Sequence, residues 1–178
     1  MNVLKSTSAA LLFTAALISM PSMAQSSNTP QLTDPEIASV AVTANQIDVD
    51  YGKIALKKAK NEKARKFAQT MIDDHTAIID QAVALANKLG VTPKDNAVTQ
   101  SLLDGAKKTT KTLKGKKGKD FDKAYIDNEV GYHEAVISTV KNVLIPETQN
   151  AELKELLQSA VPLLEHHLEM AKTAQSNL

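Results

Sequence analysis

Three of the four histidines in this chain occupy positions where a buried apolar residue is expected. A spacing of three and four residues marks the buried side of a helix, and His75 fills such a position between Met71 and Ile78. His167 fills the equivalent position four residues before Ala171. Imidazole nitrogens from facing helices are a usual way for a helical bundle to hold a metal ion.

Carboxylates interrupt the apolar spacing in the same way. Glu129 and His133 fall in the middle of one apolar seam, and Asp48 falls within another. Burying an ionisable group costs free energy unless the group is paired or coordinates a metal. One interpretation is that these groups only bond to one another, His75 to Asp48 and His133 to Glu129. The other is a metal site, and its predicted ligands are Asp48, His75, Glu129, His133 and His167.

The ligand set also indicates which metal to expect. A carboxylate-bridged di-iron site uses Glu-x-x-His on two helices, and this spacing does not occur in the chain. A histidine-rich set favours zinc, copper or nickel over iron, and the expected cofactor is a transition metal, with iron kept as the fourth candidate. The chain also lacks cysteine, a nucleophile motif and a nucleotide-binding loop. We therefore predict no catalytic residue, and the sequence points away from an enzyme.

Four long segments with helix start and stop signals carry these residues. Each begins at a residue that can cap a helix N-terminus, and the first three end near a lysine cluster, a glycine or a proline. The predicted caps are Asp34, Asn61, Asp120 and Asn150, and the predicted ends lie near Lys60, Leu89, Leu144 and Thr173. Pro162 is predicted to kink or restart the fourth helix.

The connection between the second and third segments is long. It contains a short helical piece at about 96–113 and the glycine- and lysine-rich stretch LKGKKGKD, which we interpret as a loop. A connection of this length lets the chain cross from one end of a bundle to the other. No strand-like alternation occurs. The predicted fold is all-α, a ferritin-like four-helix bundle with a long crossover containing a short extra helix.

The N-terminus has the features of a secretory signal peptide. Lys5 provides a positive start, and Ala9–Ser19 is an apolar run too short to span a bilayer. Ser22 and Ala24 are the small residues that a signal peptidase reads, so cleavage is expected after Ala24. The protein is therefore expected to be periplasmic or secreted, without a transmembrane segment after cleavage. The predicted organisation is a signal peptide over 1–24, a disordered lead-in over 25–33 and the bundle over 34–174.

The charge pattern limits the expected partners. Residues 25–178 contain 20 Lys and Arg and 20 Asp and Glu, and this balance gives no indication of nucleic-acid binding. Seven lysines lie within Lys107–Lys119, a density that is usually a solvated loop. The alternative is a weak contact of this loop with anionic surfaces of the cell envelope. The sequence predicts no particular oligomeric state.

Five stretches in order resemble a family of bacterial exported proteins called domain of unknown function 4142. They are DVDYGKIA, KFAQTMIDDHT, KLGVTP, FDKAYID and VPLLEHHLEMA. The resemblance spans about 34–174 and implies a ferritin-like fold. It also implies that His75, His133 and His167 match histidines of the family, which usually has glutamates where this chain has Asp48 and Asp50.

The predicted function is a periplasmic helical bundle that binds a transition metal, in metal handling or protection against envelope stress. The alternative is a non-enzymatic interaction module at the envelope, in which the buried histidines are structural.

Overall fold

The computed structural model describes residues 31–178, in which all regular structure is helical and no strand occurs. The helices are α1 Asp34–Lys58, α2 Glu62–Leu89, α3 Ala97–Gly115, α4 Gly118–Thr139, α5 Ile145–Glu147 and α6 Ala151–Ser176. A π-helical turn, Val140–Leu144, joins α4 to α5. The prediction of an all-α chain is therefore confirmed. The predicted signal peptide lies outside the described residues.

The long helices form a four-helix bundle made of two antiparallel pairs. Helix α1 packs along α2, and α4 packs along α6, while α2 and α6 bring the two pairs together. Helix α3 lies in the crossover from the first pair to the second and packs mainly on α1. This is the predicted ferritin-like connectivity, with a short extra helix inside a long crossover.

Helix boundaries at three asparagines agree with the sequence signals. Asn61, Asn96 and Asn150 lie at the N-caps of α2, α3 and α6, and each side chain accepts a hydrogen bond from a backbone N–H of the first turn. Helix α2 ends at Gly90, whose φ of 64° lies in the left-handed region that favours glycine. Local hydrogen bonding therefore sets where these helices start and stop.

The segment Lys107–Lys119 differs from its predicted form as a loop. Helix α3 extends to Gly115, and α4 begins at Gly118, so that only two residues separate the helices. Asp120 consequently lies within the first turn of α4 instead of capping it. Lysine is a good helix former, and the reversal between the two helices needs only Gly118, whose φ is 55°. Five of the seven lysines therefore project from helices, and Lys116 and Lys117 lie between the two helices.

Two prolines are also accommodated differently from the expectation. The helical path continues past Leu144 and through Pro146 to Glu147 by way of the π-helical turn, in which Ile145 N donates to Val140 O. Proline lacks an N–H and its ring meets the carbonyl four residues earlier, and the wider π turn accommodates it. Helix α6 runs through Pro162 without restarting.

A carboxylate closes the bundle at each end. Asp34 accepts hydrogen bonds of 2.9 Å from the backbone N–H groups of Gln149 and Asn150. At the opposite end, buried Asp122 accepts two of 2.9 Å from the N–H groups of Lys60 and Asn61. These bonds attach the α5–α6 turn of the second helix pair to α1, and the α1–α2 turn of the first pair to α4.

The last residues of the predicted lead-in lie within the described part of the chain. Leu32 N donates to the Glu147 carboxylate at 2.8 Å. The hydroxyl and backbone N–H of Thr33 donate to the Glu36 carboxylate, which forms the start of α1. Residues 31–33 are thereby attached to the end of the bundle at which α1 begins.

Two apolar clusters fill the bundle, one toward each end. The first includes Phe67, Met71 and Tyr125, and the second includes Ile37 and Leu157. The buried histidines and carboxylates belong to neither cluster. The helices therefore place a polar layer where the apolar core is interrupted.

Candidate metal centre

Four helices each contribute to the buried polar layer. Asp48 comes from α1, His75 from α2, Glu129 and His133 from α4, and His167 from α6, and each has at most 2% of its surface exposed. The prediction that all five face inward is confirmed. His166, the neighbour of His167, is exposed, as the helical spacing predicts.

The three buried imidazoles form a compact triangle. Their ring centroids lie 5.7 Å apart for His75 and His133, 5.1 Å for His75 and His167, and 5.6 Å for His133 and His167. One nitrogen of each ring lies within 4.8 Å of one nitrogen of each other ring. Three donor atoms from three different helices therefore meet at one level of the bundle.

In each of these imidazoles, one ring nitrogen takes part in a hydrogen bond and the other does not. The three bonds join His75 Nδ1 to Asn45 Oδ1 at 2.7 Å, His133 Nδ1 to the backbone oxygen of Glu129 at 2.9 Å, and His167 Nε2 to Asp74 Oδ2 at 2.9 Å. The remaining nitrogens, His75 Nε2, His133 Nε2 and His167 Nδ1, have no hydrogen-bond partner.

The acceptors determine where each ring carries its proton. A backbone carbonyl and a carboxylate only accept hydrogen bonds, and Asn45 presents its oxygen to His75 because its amide nitrogen donates to Ala41 O at 2.8 Å. In each neutral ring the nitrogen in the hydrogen bond therefore carries the proton, and the other nitrogen has a free lone pair. This is the usual arrangement of metal-binding histidines, whose second nitrogen donates to a carbonyl or carboxylate.

Two carboxylates lie against the imidazole triangle. Asp48 Oδ2 is 3.1 Å from His75 Nε2 and 3.4 Å from His133 Nε2, and Glu129 Oε2 is 3.7 Å from His133 Nδ1. Asp48, Glu129 and His133 also offer three ligand atoms within 4.8 Å of one another. None of the four carboxylate oxygens has a hydrogen-bond partner. The purely structural interpretation would require a buried ion pair of protonated His75 with Asp48, and a hydrogen bond from protonated Glu129 to Asp48.

The surroundings shift the pKa values of the Asp48 and Glu129 carboxyl groups in opposite directions. Burial alone would raise the pKa of Asp48, but His75 and His133 lower it below its ordinary value. Burial and the nearby charge of Asp48 raise the pKa of Glu129 well above its ordinary value. In the metal-free protein, the negative charge is therefore favoured on Asp48 and the proton on Glu129.

Two of the imidazoles are kept neutral by burial. Burial lowers the pKa of His167 to about 4, although the hydrogen bond to Asp74 acts in the opposite direction. Burial also lowers the pKa of His133, against the charge of Asp48. Neutral imidazole is the form that binds a metal ion, so neither ring has to lose a proton near neutral pH.

The dimensions of the polar layer suit a single ion. A cavity of about 10 Å³, bordered by Asp48, His75 and His133, is the size of one water molecule or ion. A point equidistant from three nitrogens 4.8 Å apart lies about 2.8 Å from each, and a metal–nitrogen bond is about 2.0 to 2.1 Å. Movements of less than about 1 Å would therefore bring the nitrogens to bonding distance. The residues present fit a transition-metal ion.

An apolar cavity of about 350 Å³ adjoins this layer on one side. The two cavities share Ala44, Asn45, Tyr132, Val136 and Leu164 as lining residues. Apolar side chains make up most of the remaining wall. A space of low polarity therefore lies beside the polar layer, and electrostatic interactions are strengthened in such surroundings.

Sequence reasoning missed the residues that orient the histidines. Asn45 lies one turn before Asp48, and Asp74 directly precedes His75. Of the two adjacent carboxylates Asp73 and Asp74, exposed Asp73 accepts a hydrogen bond from Gln69, whereas Asp74 is bonded to His167. The spacing of one turn between Asn45 and Asp48 was the only signal available for Asn45.

In residues 31–178, no helix combines the length and the apolar character needed to cross a bilayer.

Comparisons with known proteins place the chain among helical bundles. A family model described as "Domain of unknown function (DUF4142)" matches residues 19–174. A solved structure described as "CopM in the Cu(II)-bound form" is 18% identical, with a TM-score of 0.62, and the alignment covers 82% of this chain and 98% of that chain. At this identity, the likeness establishes the fold. No curated protein matches the chain significantly.

Proposed function

The chain belongs to the DUF4142 family, and we propose that it binds one transition-metal ion through His75, His133 and His167. Asp48 is the first candidate for an additional ligand, because it is charged and lies closest to two of the rings. Glu129 is the second. The observation that carries the proposal is that three inward nitrogens from three helices lack any hydrogen-bond partner, although the opposite nitrogen of each ring is held.

Copper is the first metal to test, followed by zinc and nickel. Three imidazole nitrogens suit all three metals, and the similar structure is in a Cu(II)-bound form. The role that fits a buried site without a nucleophile is metal handling, or protection of the cell envelope against metal stress. The signal-peptide features of residues 1–24 support a place of action in the periplasm or outside the cell.

Metal content and affinity test this proposal directly. Untagged protein is expected to bind one Cu(II), Zn(II) or Ni(II) ion per chain in titration calorimetry and elemental analysis. His75→Ala, His133→Ala and His167→Ala should each lower the affinity at least tenfold to a hundredfold. His166→Ala is the matched control and should bind as the wild type does.

The proposal is contradicted if the three variants retain the wild-type affinity while remaining helical by circular dichroism. It is also contradicted if any binding is lost equally in His166→Ala. In that case, the buried histidines would be structural, and a chelator would leave the melting temperature unchanged.

A further inference from the structure

One end of the bundle carries a dense positive charge. We define the basic end as residues 57–66 and 107–123, which comprise the turn between α1 and α2, the second half of α3 and the start of α4. It contains fourteen Lys and Arg and three Asp and Glu, a net charge of +11. The sequence analysis identified only the lysines within Lys107–Lys119. The fold places the lysines of the α1–α2 turn beside them.

Direct contacts join the two segments into one surface. Lys58 Nζ donates to the backbone oxygens of Leu113 and Lys114, at 2.9 and 2.6 Å. Asp122 of α4 accepts hydrogen bonds from the backbone N–H groups of Lys60 and Asn61, in the turn between α1 and α2. The lysines of both segments therefore surround the same end of the molecule.

Little negative charge offsets these lysines. Asp122 is 3% exposed and already bound to two backbone N–H groups. Glu62 pairs with Lys66 at 3.1 Å, and Asp120 is the third acid of the basic end. At its border, Lys107 and Lys123 pair with Asp104 and Asp127. The exposed lysines at the junction of α3 and α4 form no ion pair with a carboxylate of the described residues, and they are Lys114, Lys116, Lys117 and Lys119.

The remainder of the molecule has the opposite charge. Outside the basic end, residues 31–178 contain six Lys and Arg and seventeen Asp and Glu, a net charge of −11. A helix of 25 residues is about 37 Å long, several times the screening length of about 8 Å at physiological salt. An object that touches only the basic end is therefore attracted, and one that lies along the bundle also meets the acidic part.

We propose that the basic end docks on a bilayer surface that carries anionic phospholipid headgroups, with the bundle standing on that end. A planar anionic surface contacts the end alone, whereas a long polyanion such as nucleic acid would extend along the acidic remainder. Thirteen of the fourteen cations are lysines, point charges that suit phosphate headgroups and lack the forked geometry with which arginine reads bases.

The contact is peripheral. Among the described residues, the exposed large hydrophobic side chains are Val83 and Leu178, and neither lies within the basic end. Binding therefore depends on charge and does not require insertion into the bilayer. This inference does not depend on the metal site.

Co-sedimentation of the full protein with vesicles tests the docking. One set of vesicles is pure phosphatidylcholine, and the other contains phosphatidylglycerol at about one third of the lipid. We expect binding to the second set at about 0.02 M salt, its loss at about 0.5 M salt, and no binding to the first set. Equal partition to both sets of vesicles would overturn the proposal.

Charge-reversal variants locate the docking surface. Lys114→Glu, Lys116→Glu and Lys117→Glu combined should lower the partition coefficient about a hundredfold or more. The control combines three exposed lysines outside the basic end, Lys88→Glu, Lys94→Glu and Lys141→Glu, which change the net charge equally, and it should retain wild-type binding. Equal loss in both triple variants would reject the basic end as the surface. Tighter binding to long duplex DNA than to the anionic vesicles at the same salt would also reject it.

Discussion

At the scale of single residues, the polar layer is unusual because its atoms face one another without hydrogen bonds. Both carboxylate oxygens of Asp48 and Glu129, and one nitrogen of each inward imidazole, lack a partner. Each buried polar atom left in this way costs the folded state about 1 to 3 kcal/mol. A structural network is expected to satisfy its own members, so the pattern favours a bound ion over structural histidines.

The effect of removing Glu129 distinguishes these two interpretations. In the metal-free protein, Glu129→Leu should raise the free energy of unfolding by about 1 to 2 kcal/mol, because a buried carboxyl group, whose burial is costly, is replaced by an apolar side chain of similar size. Urea unfolding in the presence of a chelator measures this change. Exposed Glu134 provides the control, and Glu134→Leu should shift the stability by less than about 0.5 kcal/mol. A clear loss of stability in Glu129→Leu would show that the carboxyl is structural.

The stability of the metal-free protein should depend on pH through His167. Its pKa is 6.5 in the unfolded chain and about 4 in the fold, where it is buried beside His75, His133 and Asp74. The unfolded state therefore binds more protons between these values, and stability falls as the pH decreases from about 6.5 to about 4, by about 2 to 3 kcal/mol.

The variant His167→Gln should lose part of this slope, and His166→Gln should keep all of it. Urea unfolding at several pH values in chelator measures both. An unchanged slope in His167→Gln would contradict the assignment of the pH dependence to this residue.

Helical spacing was sufficient to predict which of the paired histidines faces inward, since the backbone alone sets that direction. It could not predict that Asn45 and Asp74 hold His75 and His167. The acceptor that a ring meets depends on side-chain rotamers and on the distance between helices, and neither is encoded in the spacing of one helix.

At the scale of elements, the spacing of α1 and α2 controls the site. Gly52 lies one turn after Asp48 on α1, and a Cβ atom there would lie 2.8 Å from Ile72 Cγ1 and 3.0 Å from the backbone oxygen of Ala68. The two helices approach closely because this residue has no side chain. The distance between Asp48 and His75 is thereby set by a contact outside the polar layer.

A glycine comparison tests this control. Gly52→Ala should lower the free energy of unfolding by about 1 to 3 kcal/mol, because the added methyl group meets a backbone atom that cannot move freely. It should also weaken metal binding by separating α1 from α2. Gly131→Ala, at an exposed helical position with nothing within 4 Å, should instead raise stability by about 0.5 to 1 kcal/mol. Calorimetry of both variants, with and without metal, would contradict the argument if the two substitutions behaved alike.

The sequence signals located helix starts and stops well where a side chain caps a backbone group, as at Asn61, Asn96 and Asn150. They were less accurate where residues that favour a helix stand next to residues that usually end one. At LKGKKGKD the helical propensity of lysine prevailed over the loop tendency of the glycines, and at Pro146 the π-helical turn carried the helix past its expected end. Such outcomes depend on how neighbouring helices pack, which propensity alone does not include.

At the scale of the whole molecule, an ion in the polar layer would tie four helices together. Its proposed ligands come from α1, α2, α4 and α6, and the two antiparallel pairs meet at that level. An ion that binds only the folded chain stabilises it by an amount set by its concentration relative to its dissociation constant.

This stabilisation should be measurable by scanning calorimetry. At a free metal concentration about 100 times the dissociation constant, the unfolding free energy should rise by about 2.7 kcal/mol, which corresponds to a melting temperature higher by about 5 to 10 °C. His133→Ala should abolish the shift, and His166→Ala should preserve it. A wild-type melting temperature that does not respond to any of the three metals would contradict the proposal.

The distribution of the three imidazoles along the chain also sets an order of events. The rings belong to α2, α4 and α6, so the last of them is made only after the other three helices of the bundle, α1, α2 and α4. A partly made or unfolded polypeptide has no triangle of nitrogens with which to capture an ion. For the proposed ion, folding would therefore come first and loading second, and the surroundings in which the chain folds would decide which ion it acquires.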